Sequence, residues 1–224
     1  MKTLQSYITE KLKVQKPGKM KMVVPSSKEE LIDIITNRIK ENGPKVDLND
    51  IDVSGLEDLS WLFSDTGFEG DISKWDVSNV KKFNYMFYNT TFNGDISAWD
   101  VSSAKTMLGM FRNSKFDGDI SGWDVSSVRK FEAMFANSKF NQDISDWDVS
   151  GAEVMNSMFQ EAEFNQDISK WNVSNVIYTS YMFADSKFEQ NLSNWELGKG
   201  LIAKGMFQKS PMLKKKEWWP KGVK

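Results

Sequence analysis

The 224-residue sequence contains no cysteine and no histidine. The first absence excludes disulfides, thiolate metal sites, thiol nucleophiles and an acylated cysteine anchor. The second removes the commonest general base, the commonest transition-metal ligand and the side chain that titrates near neutral pH. Few catalytic designs survive both, and the chain is read as non-catalytic with no cofactor. Its start, MKTLQSYITEKLKV, lacks the apolar run of a secretory signal, and no later stretch approaches the length that crosses a bilayer. The expectation is a chain with no signal peptide, lipid anchor or transmembrane segment. The net charge of -2 makes no case for nucleic acid or an anionic membrane as partner.

What the sequence has in abundance is repetition. Phenylalanines recur at Phe68, Phe92, Phe116, Phe140, Phe164 and Phe188, and tryptophans at Trp75, Trp99, Trp123, Trp147, Trp171 and Trp195, so that both series keep one constant interval, that from Phe68 to Phe92. A Met-Phe pair keeps the same step from Met86 and Phe87 to Met206 and Phe207, with Leu62 and Phe63 as an atypical first copy. A fixed period of this length signals units that bury their apolar faces only against their neighbours. Three parts are expected. Residues 1-43 supply an amphipathic helix over 4-14, a short strand over Met20 to Val24 and a capping helix. Residues 44-211 form seven coils, and residues 212-224 form a partial repeat and a basic, tryptophan-bearing C-terminal cap. Ser27 and Glu30 read as a capping box, and Gly43 as the stop of the helix carrying Leu31, Ile32, Ile34, Ile35 and Ile39. That helix is expected to cover the first coil.

Within one copy, Phe92, Gly94 and Ile96 alternate with Asn93, Asp95 and Ser97, the period of a strand. Val80, Phe83, Met86 and Phe87 suggest one side of a short helix, with Ser78 as its N-cap. The fold class is therefore α/β: a leucine-rich-repeat-like, right-handed solenoid of 24-residue coils, each a strand, a turn and a short helix, with parallel stacked strands and a helical N-terminal cap.

The pattern FNGDISAWDVS, with MF some seven or eight residues on, resembles the BspA-type leucine-rich-repeat family, which includes the mycoplasma-type lipoprotein repeat of unknown function. The resemblance covers about Pro44 to Trp219. It implies a solenoid that binds other molecules, since members are bacterial surface proteins that recognise host or bacterial components. Similar repeats occur in large bacteriophages, and a chain without export signal or anchor resembles those phage-encoded members most. That implies a cytoplasmic or virion-associated protein. The family supplies no catalytic residues.

Stacking turns each repeat position into a column. Asp71, Asp95, Asp119, Asp143 and Asp167 form one, ending in Asn191, and Asp76, Asp100, Asp124 and Asp148 form another. Hydrogen-bonded turns account for such carboxylates; a ladder of calcium ions between successive residues of the first column is the alternative, and would make a calcium-dependent adhesion module. A carboxylate pair hydrolysing glycans is a weaker reading, because acids recurring in every coil are no local exception. Glu69, Asn93, Asp117, Asn141, Asn165 and Glu189 are expected to face outward on a polar wall suited to solvent, a basic peptide or a glycan.

The outward columns of the expected helix change along the chain. Lys81, Lys82, Lys105, Arg129 and Lys130 make a basic strip. Farther on, Val154, Ile177, Tyr178, Leu201 and Ile202 make an apolar area, and Trp218 and Trp219 lie near it in sequence. Exposed apolar patches mark interfaces. A protein partner is expected there or on residues 1-14.

Overall fold

Repetition at a constant interval stacks like side chains on like, and the computed structural model, which describes residues 22–224, shows it directly. Phe63, Phe87, Phe111, Phe135, Phe159, Phe183 and Phe207 lie in one file, with successive ring centroids 5.5 to 5.7 Å apart. Phe68 through Phe188 form a second file at 5.9 to 6.3 Å. The two interleave at 4.1 to 4.4 Å, with Phe135 on Phe140 and Phe159 on Phe164 among the pairs. All these rings are buried. Burying one such side chain contributes about 1.5–3 kcal/mol, and each stacked pair about 0.5–1.5 kcal/mol more.

The tryptophans add a polar tie to their packing. Each core indole Nε1 donates to the backbone carbonyl 27 residues earlier, from Trp75 on Leu48 at 2.9 Å and Trp99 on Ile72 at 3.2 Å to Trp195 on Ile168 at 3.0 Å. A buried donor left open would cost about 1–3 kcal/mol, so tryptophan satisfies the carbonyl and the core together.

The walls of the stack differ from the strand and short helix that the periodicity suggests. Paired backbone occurs where the helix was expected: Asp58, Lys82, Thr106, Lys130, Val154, Tyr178 and Ile202 are linked in succession by parallel bridges. The ladder continues past each bridge. In one unit the N–H groups of Phe83, Tyr85, Phe87 and Asn89 donate to the carbonyls of Thr106, Leu108, Met110 and Arg112 in the next, at 2.8 to 3.1 Å. The segment from Phe83 to Asn89 is thus a run of tight turns. Met86 bonds back to Phe83 and Tyr88 to Tyr85, with positive φ at Tyr85 (55°) and Asn89 (52°). A residue of positive φ ends a right-handed helix within one turn. Such turns recur at nearly the helical spacing, so they bring Phe83, Met86 and Phe87 inward as a helix would, which explains the misleading periodicity.

The segment expected as a strand has no paired strand in it. Apart from the backbone bonds around the bridge between Asp47 and Asp71 and the one from Leu192 N–H to the Trp218 carbonyl at 2.9 Å, successive units here are joined by side chains. The N–H groups of Asp117, Asn141, Asn165 and Glu189 each donate to the side-chain oxygen of the residue one repeat earlier, all at 2.8 Å. Ser78 caps no helix. It donates its N–H to Asp76 Oδ1 at 3.1 Å in a turn, as Ser126 does to Asp124 at 3.0 Å.

At the N-terminal end, α1 (Lys28–Asn42) starts at Ser27, whose side chain accepts the Glu30 N–H, and ends at Gly43 with φ 84°. The Glu30 carboxylate bonds Ser26. Leu31 and Ile35 are buried against the first unit, while Ile32 stays exposed. Arg38 grips Asp50 with both guanidinium nitrogens, and Val23 pairs with Ile51. The helix expected over 4-14, the candidate docking segment 1-14 and the first residues of the expected strand lie outside the described residues. At the other end two 3-10 helices, Pro211–Lys214 and Lys216–Trp218, close the stack. Met212 is buried there, and Trp219 packs on Phe207 with centroids 5.0 Å apart.

Candidate functional site

Inward columns are spoken for by packing, so a partner can read only what faces out. The first acidic column is occupied with local bonds. Asp71, Asp95, Asp119, Asp143 and Asp167 each accept the N–H of the serine two residues on, at 2.9 Å in every case. The backbone donors of Ser73, Ser121, Ser145 and Ser169 and, for Asp95, first the Ser97 hydroxyl, hold these carboxyls below their ordinary values. Among the described residues no three acidic side chains converge as a metal site.

The basic strip is interleaved with acids. Lys81 pairs with Glu57 at 2.6 Å, Lys82 lies 3.6 Å from Asp58, and Arg129 bonds Glu153 at 3.2 Å, while Lys105 and Lys130 continue the columns between them. Surface pairs of this kind contribute little energy, but they leave the strip mixed in sign. The apolar positions lie along two neighbouring columns. Tyr178 and Ile202 are 38% and 51% exposed, bridged in series with half-buried Val154, and half-buried Ile177 and Leu201 precede them by one residue. Trp218 and Trp219 are drawn into the cap instead. Lys215 sits 3.8 Å over the Trp218 ring and Trp219 Nε1 donates to the Met212 carbonyl at 2.7 Å, so both tryptophans are half-buried by this chain's own residues.

The turn wall holds one more column, which the periodicity alone does not single out. Trp61, Tyr85, Gly109, Ala133, Ser157, Tyr181 and Gly205 occupy equivalent places, and every one has positive φ, from 52° at Ala133 to 66° at Trp61. Glycine adopts that conformation freely, whereas a residue with a Cβ is strained there by about 1–2 kcal/mol. Three of the seven are nevertheless large aromatics. Trp61 stacks on Tyr85 at 4.2 Å, and Tyr88 stands edge-on to both. The Tyr85 ring leans over the next unit so closely that a Cβ on Gly109 would lie 2.3 Å from it; Tyr181 covers Gly205 in the same way at 2.8 Å.

Between Gly109 and Tyr181 the column carries only Ala133 and Ser157, and the wall sinks into a trough of about 270 Å³. Tyr85 closes one end, Ala133 and Ala136 form the floor, and Arg112, Glu132, Gln160 and Glu161 stand around the rim. Asn137 Nδ2 donates to Asn113 Oδ1 at 3.0 Å beside it. The signal for this site was present in the sequence as a column of aromatic and very small residues, but its meaning depends on the sign of φ.

Units that repeat at a fixed interval, share one hydrophobic core and bond in register define a repeat protein. The chain belongs to the family described as Mycoplasma protein of unknown function, DUF285, whose model matches residues 35–139 and 112–219. No curated protein and no solved structure matches the chain.

Proposed function

We propose that the chain is a non-catalytic binding module of BspA type, a right-handed leucine-rich-repeat-like solenoid closest in form to phage-encoded members, acting in the cytoplasm or on a virion. Its protein partner seats on the apolar end of the bridged column. The observation carrying this is the exposure of Tyr178 and Ile202 in one bridged file with Val154, flanked by Ile177 and Leu201. Catalysis is disfavoured because the carboxylates recur in every unit as turn acceptors and no histidine or cysteine accompanies them.

The test is affinity capture from the native host or virion with the wild-type chain beside Tyr178→Asp/Ile202→Asp. A specific protein retained by the first and lost by the second supports the reading. Equal retention by both, or release of reducing ends when the chain is incubated with polysaccharides, overturns it.

A further inference from the structure

We infer that the trough between Tyr85 and Ser157 is a saccharide-binding site, taking a short polyhydroxylated chain against the Tyr85 ring that closes it, a ring on which Trp61 stacks. The inference rests on reading the chain as a binding module and adds a second surface with its own ligand class.

The aromatic shelf is built rather than incidental. Trp61 is 52% exposed, yet its ring is fixed by stacking on Tyr85 at 4.2 Å and by Tyr88 at 6.1 Å. Tyr85 is fixed in turn by lying over Gly109, the one residue type that leaves room for it. Both aromatics hold a backbone conformation that opposes their Cβ, so nothing local calls for them at that position. A rigid, partly exposed aromatic face is what the C–H side of a sugar ring packs against. The polar groups around the trough are planar: the Arg112 guanidinium, the Gln160 amide and the Glu132 and Glu161 carboxylates. Such groups bond pairs of adjacent hydroxyls, and one cation beside two acids disfavours a multiply charged anion. The volume, about 270 Å³, lies just below the roughly 300–1,000 Å³ found for small-ligand sites, which suits a short ligand.

An extended peptide adding as a strand fits less well, because that mode needs free backbone edges. Here the N–H groups of Gly109, Ala133, Ser157 and Asn137 already donate to Glu132, Asn156, Ser180 and Gln160 of the following unit, at 2.7 to 2.9 Å. Side chains are all the trough offers.

The experiment titrates the full chain with soluble oligosaccharides of hexose and N-acetylhexosamine, following the fluorescence of exposed Trp61, with Trp61→Phe as the blank. An array of unrelated extended peptides is run in parallel. Saturable quenching by an oligosaccharide that vanishes in Trp61→Phe is expected. The double variant Ala133→Tyr/Ser157→Gly fills the trough by copying the Tyr–Gly pairs already present at 85/109 and 181/205, so it keeps the fold. It should keep the wild-type melting temperature and weaken the sugar by about tenfold or more, some 1.4 kcal/mol. No quenching by any oligosaccharide, undiminished binding by the filled variant, or response to peptides alone overturns the inference. Because Tyr178 and Ile202 lie outside the trough lining, capture of a protein lost by Tyr178→Asp/Ile202→Asp would stand even then, separating this failure from failure of the module reading.

Discussion

Replacing Asn141 by valine separates two accounts of the polar wall by the sign of the effect. Were the segment an ordinary parallel strand with Asn141 facing out, a β-branched residue would be neutral or stabilising, within a scale spanning about 1 kcal/mol. The structure makes Asn141 a rung. Its Oδ1 accepts the Asn165 N–H at 2.8 Å, and Gln166 Nε2 lies 3.3 Å from the same oxygen. Valine removes that acceptor and leaves the Asn165 N–H to water. One typical hydrogen bond contributes about 0.5–1.5 kcal/mol net, and exposure keeps the loss in that range rather than at the higher cost of a buried orphan. The expected change is a destabilisation of about 1 kcal/mol, or about 2–4 °C in melting temperature for a chain of this size. Urea denaturation gives the sign, and amide exchange locates it, because the Asn165 amide should lose protection while the Trp171 amide, bonded to the Ile168 carbonyl, keeps it. Asn141→Asp retains the acceptor and should cost less than Asn141→Val. Unchanged or increased stability in Asn141→Val, with the Asn165 amide still protected, would refute the side-chain ladder.

Acid should unfold the chain from a definite set of carboxyls. Burial pushes Asp58 up, but bonds from Ser60 and Lys28 outweigh it and hold it at about 2, and Asp50 is lowered by its Arg38 hydrogen bonds. Lowered folded values mean stability is fully present above the unfolded carboxylate value of about 3.9 and is lost as pH falls through the folded one, so melting temperatures should drop from about pH 4 toward 2. Without histidine they should stay flat between about pH 5 and 8, and a step near pH 6.5 would contradict this. Thr179 is fully buried with an unpartnered hydroxyl, so Thr179→Val should stabilise by about 1 kcal/mol in urea titration; a loss would show the hydroxyl to be satisfied. Gly109→Ala should destabilise by about 1–2 kcal/mol through its positive φ and by more through the Tyr85 ring, and a double-mutant cycle with Tyr85→Ala should recover only the ring's share; additivity would exonerate the ring. Melting midpoints in calcium and in chelator should coincide if the Asp71 to Asp167 carboxyls are turn acceptors only; a rise with calcium would restore the ion ladder.

The constant step in the sequence carries most of the contact map, since it alone says that Phe87 meets Phe111 and that Trp99 lies over Trp75. The capping helix was legible from Ser27, Glu30 and Gly43. The walls were not, and the cause is geometric. Successive tight turns place Phe83, Met86 and Phe87 on one side as a helix does, so apolar spacing cannot distinguish them; only the positive φ at Tyr85 and Asn89 can. Asn89, Asn113 and Asn137 hint at it, because asparagine tolerates that conformation. The alternation in FNGDISAW was equally ambiguous, because Asp95 turns the chain onto Ser97 where a strand would continue.

The same geometry explains why the trough escaped a reading by columns. A column is judged by what its members share, and Trp61, Tyr85, Gly109, Ala133, Ser157, Tyr181 and Gly205 share no chemistry. Their common property is a left-handed backbone, under which glycine is the relaxed choice and every side chain is an added cost. Once the cost is assigned, the column orders itself. The two glycines lie where a preceding tyrosine needs the space, Ala133 and Ser157 are the smallest side chains that leave the wall open, and Trp61, Tyr85 and Tyr181 are the residues that local conformation opposes. In a stack whose units are held by buried phenylalanine files and by bonds between neighbours, these positions are free of the core. Their departures from the relaxed residue therefore point to a surface requirement, which is the ground for placing the ligand there.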